Sequence, residues 1–179
     1  MEIELSKAEL REVTRFAVAC AEPALPVFES VRPDDRRPRE AVDSARAFAE
    51  GAERTKAIRD CAWAAHRAYQ ETRDAGQLAA SDAARAAVAT ASAAFLHPLA
   101  KATQVLHILG SAAHTARALE LAADDPRVGD EYLDTARKMA TPTLVGVLSR
   151  YPAAPSGRGR AGELARSLDA ALRKSSADR

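Results

Sequence analysis

Residues 6–26 read SKAELREVTRFAVACAEPALP, and this stretch decides the fold class. Ser6 and Glu9 have the spacing of a capping box. The serine hydroxyl accepts from the amide three residues on, and the glutamate reaches back to the serine amide. Leu10, Val13, Phe16, Ala17 and Cys20 follow at helical period. Pro23 and Pro26 lack amide donors, so the helix should break or kink near residues 22–25, with a short turn over 27–31.

The same pattern repeats outward. Pro38 suits the first turn of a second helix, with Asp35 or a neighbour as its cap, running through Ala41, Val42, Ala45 and Phe48 to Gly51. A third helix is expected over 54–75, with Ile58, Cys61, Ala62, Ala65 and Tyr69 on one face and Gly76 ending it. A fourth is expected over 81–96. Pro98 should push His97 out of the α region and open a fifth helix running to about residue 123. A sixth carries Val128, Tyr132, Leu133, Ala136 and Met139, and Thr141-Pro142 caps a seventh. A last amphipathic helix over 161–174 carries Leu164, Leu168 and Leu172. No strand-like alternation or internal repeat competes. The fold class is all-α: an irregular bundle of about seven to eight helices, several broken or kinked at proline.

A chain of 179 residues suits one helical domain, with 1–5 and 175–179 expected to fray. Aromatic residues make up only 4%, so the core must be built from alanine, leucine and valine. The net charge of +1 argues against a nucleic-acid binder. Only Arg158 and Arg160, together with the basic patch at 36–39, would serve such a role. Cys20 and Cys61 form no CxxC and read as reduced, buried side chains. The N-terminus has no signal-like apolar core and no run could span a bilayer, so a cytoplasmic protein without membrane contact is expected.

Three of the four histidines fall within residues 97–114. On one helix His107 and His114 share a face to within about 20°, but stand about 10 Å apart along the axis. One zinc takes its ligands at about 2 Å, and the chain has neither HxxxH nor HExxH, so no metal is expected. The remaining reading is a polar stripe of Thr103, His107, Ser111 and His114 that could line a pocket, joined by His97 at the proline break and by His66. His66 follows Trp63 by three residues and can touch it, most simply as a semi-buried packing pair. No nucleophile elbow, Walker loop or dinucleotide fingerprint is present, so no catalytic residue or cofactor is assigned.

The most distinctive segment is CAEPALPVFESVRPDDRRPREAVDSARAFAEG, residues 20–51. It resembles the immunity proteins of the Imm-five-like group, which occur beside polymorphic toxins in bacteria. The resemblance runs through Cys20, Ala21, Glu22, Leu25, Pro26, Phe28 and Glu29, then Pro33, Asp34, Asp35, Arg37, Pro38 and Arg39. It continues through Ala41, Ala45, Arg46, Phe48, Ala49 and Gly51, with Phe48 where tryptophan is commoner. AWAAHRA at 62–68 also looks like the family's Ala- and His-bearing helix. The resemblance covers roughly the first half of the chain and brings no catalytic motif. It implies a non-enzymatic protein that binds a partner protein, a toxin or an enzyme subunit.

The charged connector then has two readings. Asp34, Asp35, Arg36, Arg37 and Arg39 could form a recognition edge, since arginine is favoured at interfaces. They could equally form caps and local ion pairs that fix the angle between the first two helices, contributing about 0–1 kcal/mol each where exposed. The alternative function is an enzyme or subunit of a small-molecule-processing complex, with a pocket lined by histidines acting as acid or base. Ala-rich amphipathic helices serve a monomer or a homo-oligomer equally well.

Overall fold

The computed structural model describes residues 2–157 and 159–177. Helix α1 (Lys7–Ala21) starts on the expected capping box. Ser6 Oγ accepts from the Glu9 amide at 3.1 Å, and the Ser6 amide donates to Glu9 Oε2 at 2.9 Å. The proline break follows. Glu22–Ala24 forms a 3-10 turn, and a short helix α2 (Leu25–Glu29) stands where a turn was expected. Each proline lies in a first turn, where its missing amide costs nothing.

Helix α3 (Arg37–Ala49) opens with Pro38, and Asp35 Oδ1 accepts from the Arg37 amide at 3.1 Å. Gly51 follows it at φ +123°, in the region that favours glycine. Helix α4 (Lys56–Asp74) ends before Gly76 at φ +72°. Helix α5 (Leu78–Ala93) begins slightly earlier than expected.

The region around Pro98 differs from the sequence reading. No helix starts there. The Ile3 amide donates to the Pro98 carbonyl at 2.7 Å, and Glu2 and Leu99 form an isolated antiparallel bridge. Extended backbone before proline favours this pairing over a helical turn. It also ties down residues expected to fray, because Ile3 is buried. A 3-10 turn at Ala102–Gln104 leads into helix α6 (Val105–Ala123), which starts well after the proline. Asp124 adopts φ +51°, and Asp125 caps helix α7 (Pro126–Met139) by accepting from the Arg127 amide at 2.9 Å. Thr141 caps helix α8 (Pro142–Ser149), and helix α9 (Gly159–Ala177) follows a loop. Among the described residues the fold is all-α, as expected.

Helix α5 lies at the centre, touching α1, α2, α3, α4 and α6. Its alanines at 80, 83, 84, 86, 87 and 91 are all buried, which lets five helices approach one axis. One apolar cluster joins α1 to α6, α8 and α9 through Phe16, Ile108, Leu148 and Leu168. A second joins α1, α3, α4 and α5 through Val18, Val42, Phe48 and Ile58. A third seats Phe28 against Ala68, Ala84 and Ala118. Buried hydroxyls reinforce the end of α1. Ser111 donates to the Ala17 carbonyl and Tyr132 to the Cys20 carbonyl, both at 2.6 Å. Buried polar groups must find such partners. Cys20 is buried as expected, which pushes its thiol up to about 12, whereas Cys61 is only half-buried.

Candidate functional site

Three helices each turn one stripe of side chains toward a common cleft of about 670 Å³. Helix α4 contributes Arg59, Trp63 and His66, whose spacing places them on one face. Helix α5 contributes Arg85, Val88 and Ser92, and α6 contributes His107, Gly110 and His114. Thr103 adds a polar edge, and α9 forms a smooth wall with Ala161, Gly162 and Ala165. The floor is shallow because α5 and α6 meet closely. A methyl group at Gly110 would sit 3.3 Å from Ala89 Cβ.

The rim is aromatic and basic. Trp63 is 65% exposed, edge-on to His66, and His66 in turn lies 5.4 Å from Tyr69 between ring centroids. The Arg59 guanidinium stands 4.4 Å from the centre of the Phe95 ring, with Arg54 at 5.2 Å. Arg85 lies 5.2 Å from the Tyr69 ring centre and donates to His66 Nδ1 at 3.3 Å. That contact requires an unprotonated Nδ1. Burial lowers the His66 pKa, and the positive charges of Arg85 and Arg73 add to the effect. Burial also lowers the pKa of His107, opposed by a hydrogen bond to the Ser92 backbone. His114 Nδ1 meets Asp82 Oδ1 at 2.9 Å, which brings a carboxylate to this basic surface. Among the described residues no three His, Cys, Asp or Glu side chains gather as metal ligands would.

The structure thus brings together His66, Thr103, His107 and His114 of the six pocket candidates. It sets the other two apart. Ser111 is buried among α1, α5 and α6, where it donates to Ala17 and accepts from Thr90 Oγ1 at 3.0 Å. The reason is angular: from His107, Ser111 lies about 40° one way round the helix and His114 about 20° the other. His97 is exposed away from the cleft. Its amide donates to Gln104 Oε1 at 2.9 Å, and its carbonyl accepts from Tyr151 Oη at 2.8 Å. Trp63 touches His66 as expected, but it is exposed rather than semi-buried. The sequence reading did not single out Arg59, Arg85 and Phe95. The period joining Arg59, Trp63 and His66 was the available signal.

The connector is largely engaged within the fold. Arg37 grips Asp35 through Nε and Nη2 at 2.9 and 2.6 Å, and also bonds Glu71 on α4. Arg39 grips Glu29 at 2.6 and 2.9 Å, joining α3 to α2. Asp34 and Arg36 have no ion-pair partner among the described residues and stand at the edge of a shallow depression. The basic stretch near 158 is split. Arg158 lies outside the described residues, and Arg160 pairs with the buried Glu120 through Nε at 3.0 Å and Nη2 at 2.5 Å.

A family model described as "Imm-5 like putative immunity protein" matches residues 4–142. The chain belongs to this family. The Imm-5 like match runs from before α1 to the start of α8. It therefore holds the α4, α5 and α6 stripes of the cleft, while the α9 wall lies beyond it. No curated protein and no solved structure matches the chain. Among the described residues no helix is long and apolar enough to cross a membrane.

Proposed function

We propose that this chain is a non-enzymatic, immunity-like protein of the cytoplasm that binds a partner protein, a toxin, through its cleft face and blocks or stabilises it. Trp63 is the observation that carries this reading. It is a large side chain, 65% exposed, set among Arg59, Arg85 and His66 on a chain of the Imm-5 like family. Tryptophan and arginine are the residue types on which interface energy concentrates. Arg59, Trp63 and His66 stand on α4 and Arg85 on α5, so regular helices already position them before binding. Asp34 and Arg36 form a candidate secondary edge.

The test is affinity capture from native lysate with tagged wild-type protein and with Trp63→Ala, each checked for helical content. The expected result is one protein at fixed stoichiometry on the wild type and its loss from the variant. An empty wild-type capture, or one unaffected by Trp63→Ala, contradicts the reading.

The cleft volume gives a second reading some support, since about 670 Å³ lies within the range of small-molecule sites. Three histidines line it, and burial favours the neutral form of His107, the form in which an imidazole can serve as a base. A small molecule that raises the melting temperature of wild type but not of His107→Leu would favour this reading.

A further inference from the structure

We propose that the cleft receives an acidic segment of the partner protein, whose carboxylates pair with Arg59 and Arg85 while an apolar side chain packs beside Trp63. The inference rests on the reading that the cleft face is the partner surface, and it specifies the chemistry of that partner.

Many arginines of this fold lie on carboxylates, among them Arg37 on Asp35 and Glu71, Arg39 on Glu29, Arg150 on Glu9 and Arg160 on Glu120, and others such as Arg11, Arg54 and Arg166 spend their donors on backbone carbonyls. The two that line the cleft do neither. Among the described residues neither Arg59 nor Arg85 has an ion-pair partner, and each is held by an aromatic ring instead. A guanidinium over a ring keeps its planar N–H donors available, and their geometry matches a carboxylate; Arg85 commits only Nη1, to His66. Stacking also fixes the side chain in advance, so less rotamer freedom is lost when the partner arrives.

The surroundings favour an anion. Among the described residues no aspartate or glutamate lines the cleft, and Asp82 behind it is already held by His114 at 2.9 Å. Val88, Ala89, Leu106 and Ala113 supply an apolar floor between the basic groups. Carboxylates and an apolar anchor presented together describe a peptide segment rather than a simple ion. An open surface spanning several helices also suits a segment that enters from the side.

Trp63 is the only tryptophan in the chain, so its emission reports directly on occupation of the cleft. The experiment titrates the full chain with a soluble peptide of repeated Glu-Glu-Leu units. A Lys-Lys-Leu peptide and free succinate serve as comparisons. The expected result is a saturable change in Trp63 emission with the acidic peptide alone, weakened by salt. Affinity should fall about tenfold or more in Arg59→Glu and Arg85→Glu. The milder Arg85→Gln should fall in the same direction. Arg67→Glu makes the same charge change on an exposed position of α4 that does not line the cleft, and should bind as wild type. Circular dichroism confirms that each variant is folded.

A flat titration, an equal response to the lysine peptide, or an equal loss in Arg67→Glu overturns the proposal. Succinate saturating as tightly as the peptide also overturns it, and assigns the cleft to small carboxylates. Lysate capture separates the two levels. A partner captured through Trp63 but indifferent to Arg59→Glu and Arg85→Glu removes this inference and leaves the partner-binding reading intact. A wild type that captures no partner removes both, whatever the peptide does.

Discussion

The indole of Trp63 stands edge-on to the imidazole of His66, with ring centroids 5.9 Å apart and planes at 87°. An imidazolium in contact with indole quenches its fluorescence, whereas neutral imidazole does so far less. Burial, then Arg85 and Arg73, lower the His66 pKa. Emission should therefore hold steady as pH falls to about 6.5, the ordinary imidazole value, and drop only below it. His66→Gln should abolish the step. A step above that value, or one that survives His66→Gln, contradicts this placement of the two rings.

His107 makes a matching prediction about stability. Burial lowers its pKa in the folded state, so on acidification the unfolded chain takes up the proton first. Stability is then fully present above the unfolded value of about 6.5 and is lost as pH falls through it. The loss levels off once the folded state binds the proton as well. His66 adds a change of the same sign. Urea unfolding at about pH 7.5 and about pH 5.5 should show wild type losing more stability than His107→Leu. Equal losses would mean that His107 is not held neutral by the fold.

Local signals in the sequence proved reliable, and long-range ones could not be read. The Ser6–Glu9 box, the Pro23 break and the Thr141 cap each depend on neighbours within a few residues, and all stand as expected. Pro98 misled because its partner, Ile3, lies at the other end of the first half of the chain. Ser111 and His114 are separated by a modest rotation on α6, too small for a stripe written on paper to resolve. The cleft draws on α4, α5, α6 and α9, so the pairing of Arg85 with His66 and Tyr69 follows from packing alone. The connector arginines were legible as ion-pair formers, but their partners Glu71 and Glu29 were not.

Two glycine substitutions should separate with opposite sign. A Cβ at Gly129 would collide with Glu120 Oε1 and lie 2.5 Å from its Cγ. Glu120 is buried and held by Arg117 and Arg160, so it cannot swing aside. Gly129→Ala should cost about 1–3 kcal/mol as an overpacked site. Gly146 on α8 has nothing within 4 Å of its would-be Cβ, so Gly146→Ala should stabilise by up to about 1 kcal/mol through helix propensity. Chemical denaturation of both variants gives the comparison, and two values of the same sign would contradict it.

Arg160 is expected to act on stability rather than on nucleic acid. It bonds Glu120 on α6 and reaches Asp130 on α7 at 3.2 Å, so it ties α9 to both. Removing it leaves a buried carboxylate with Arg117 alone. Arg160→Ala should cost about 1.5–3 kcal/mol, the range for hydrogen bonds to charged groups. A variant as stable as wild type would place this clasp outside the folding energetics.

The affinity of the purified partner for wild type, Trp63→Ala and Arg39→Ala tests the central claim most directly. Arg39 is already engaged by Glu29, away from the cleft, so its removal should leave affinity nearly unchanged. Trp63→Ala should cost about 2 kcal/mol or more, roughly a thirtyfold loss. The reverse pattern, with Arg39→Ala weakening the complex and Trp63→Ala sparing it, would move the interface to the connector and contradict the account.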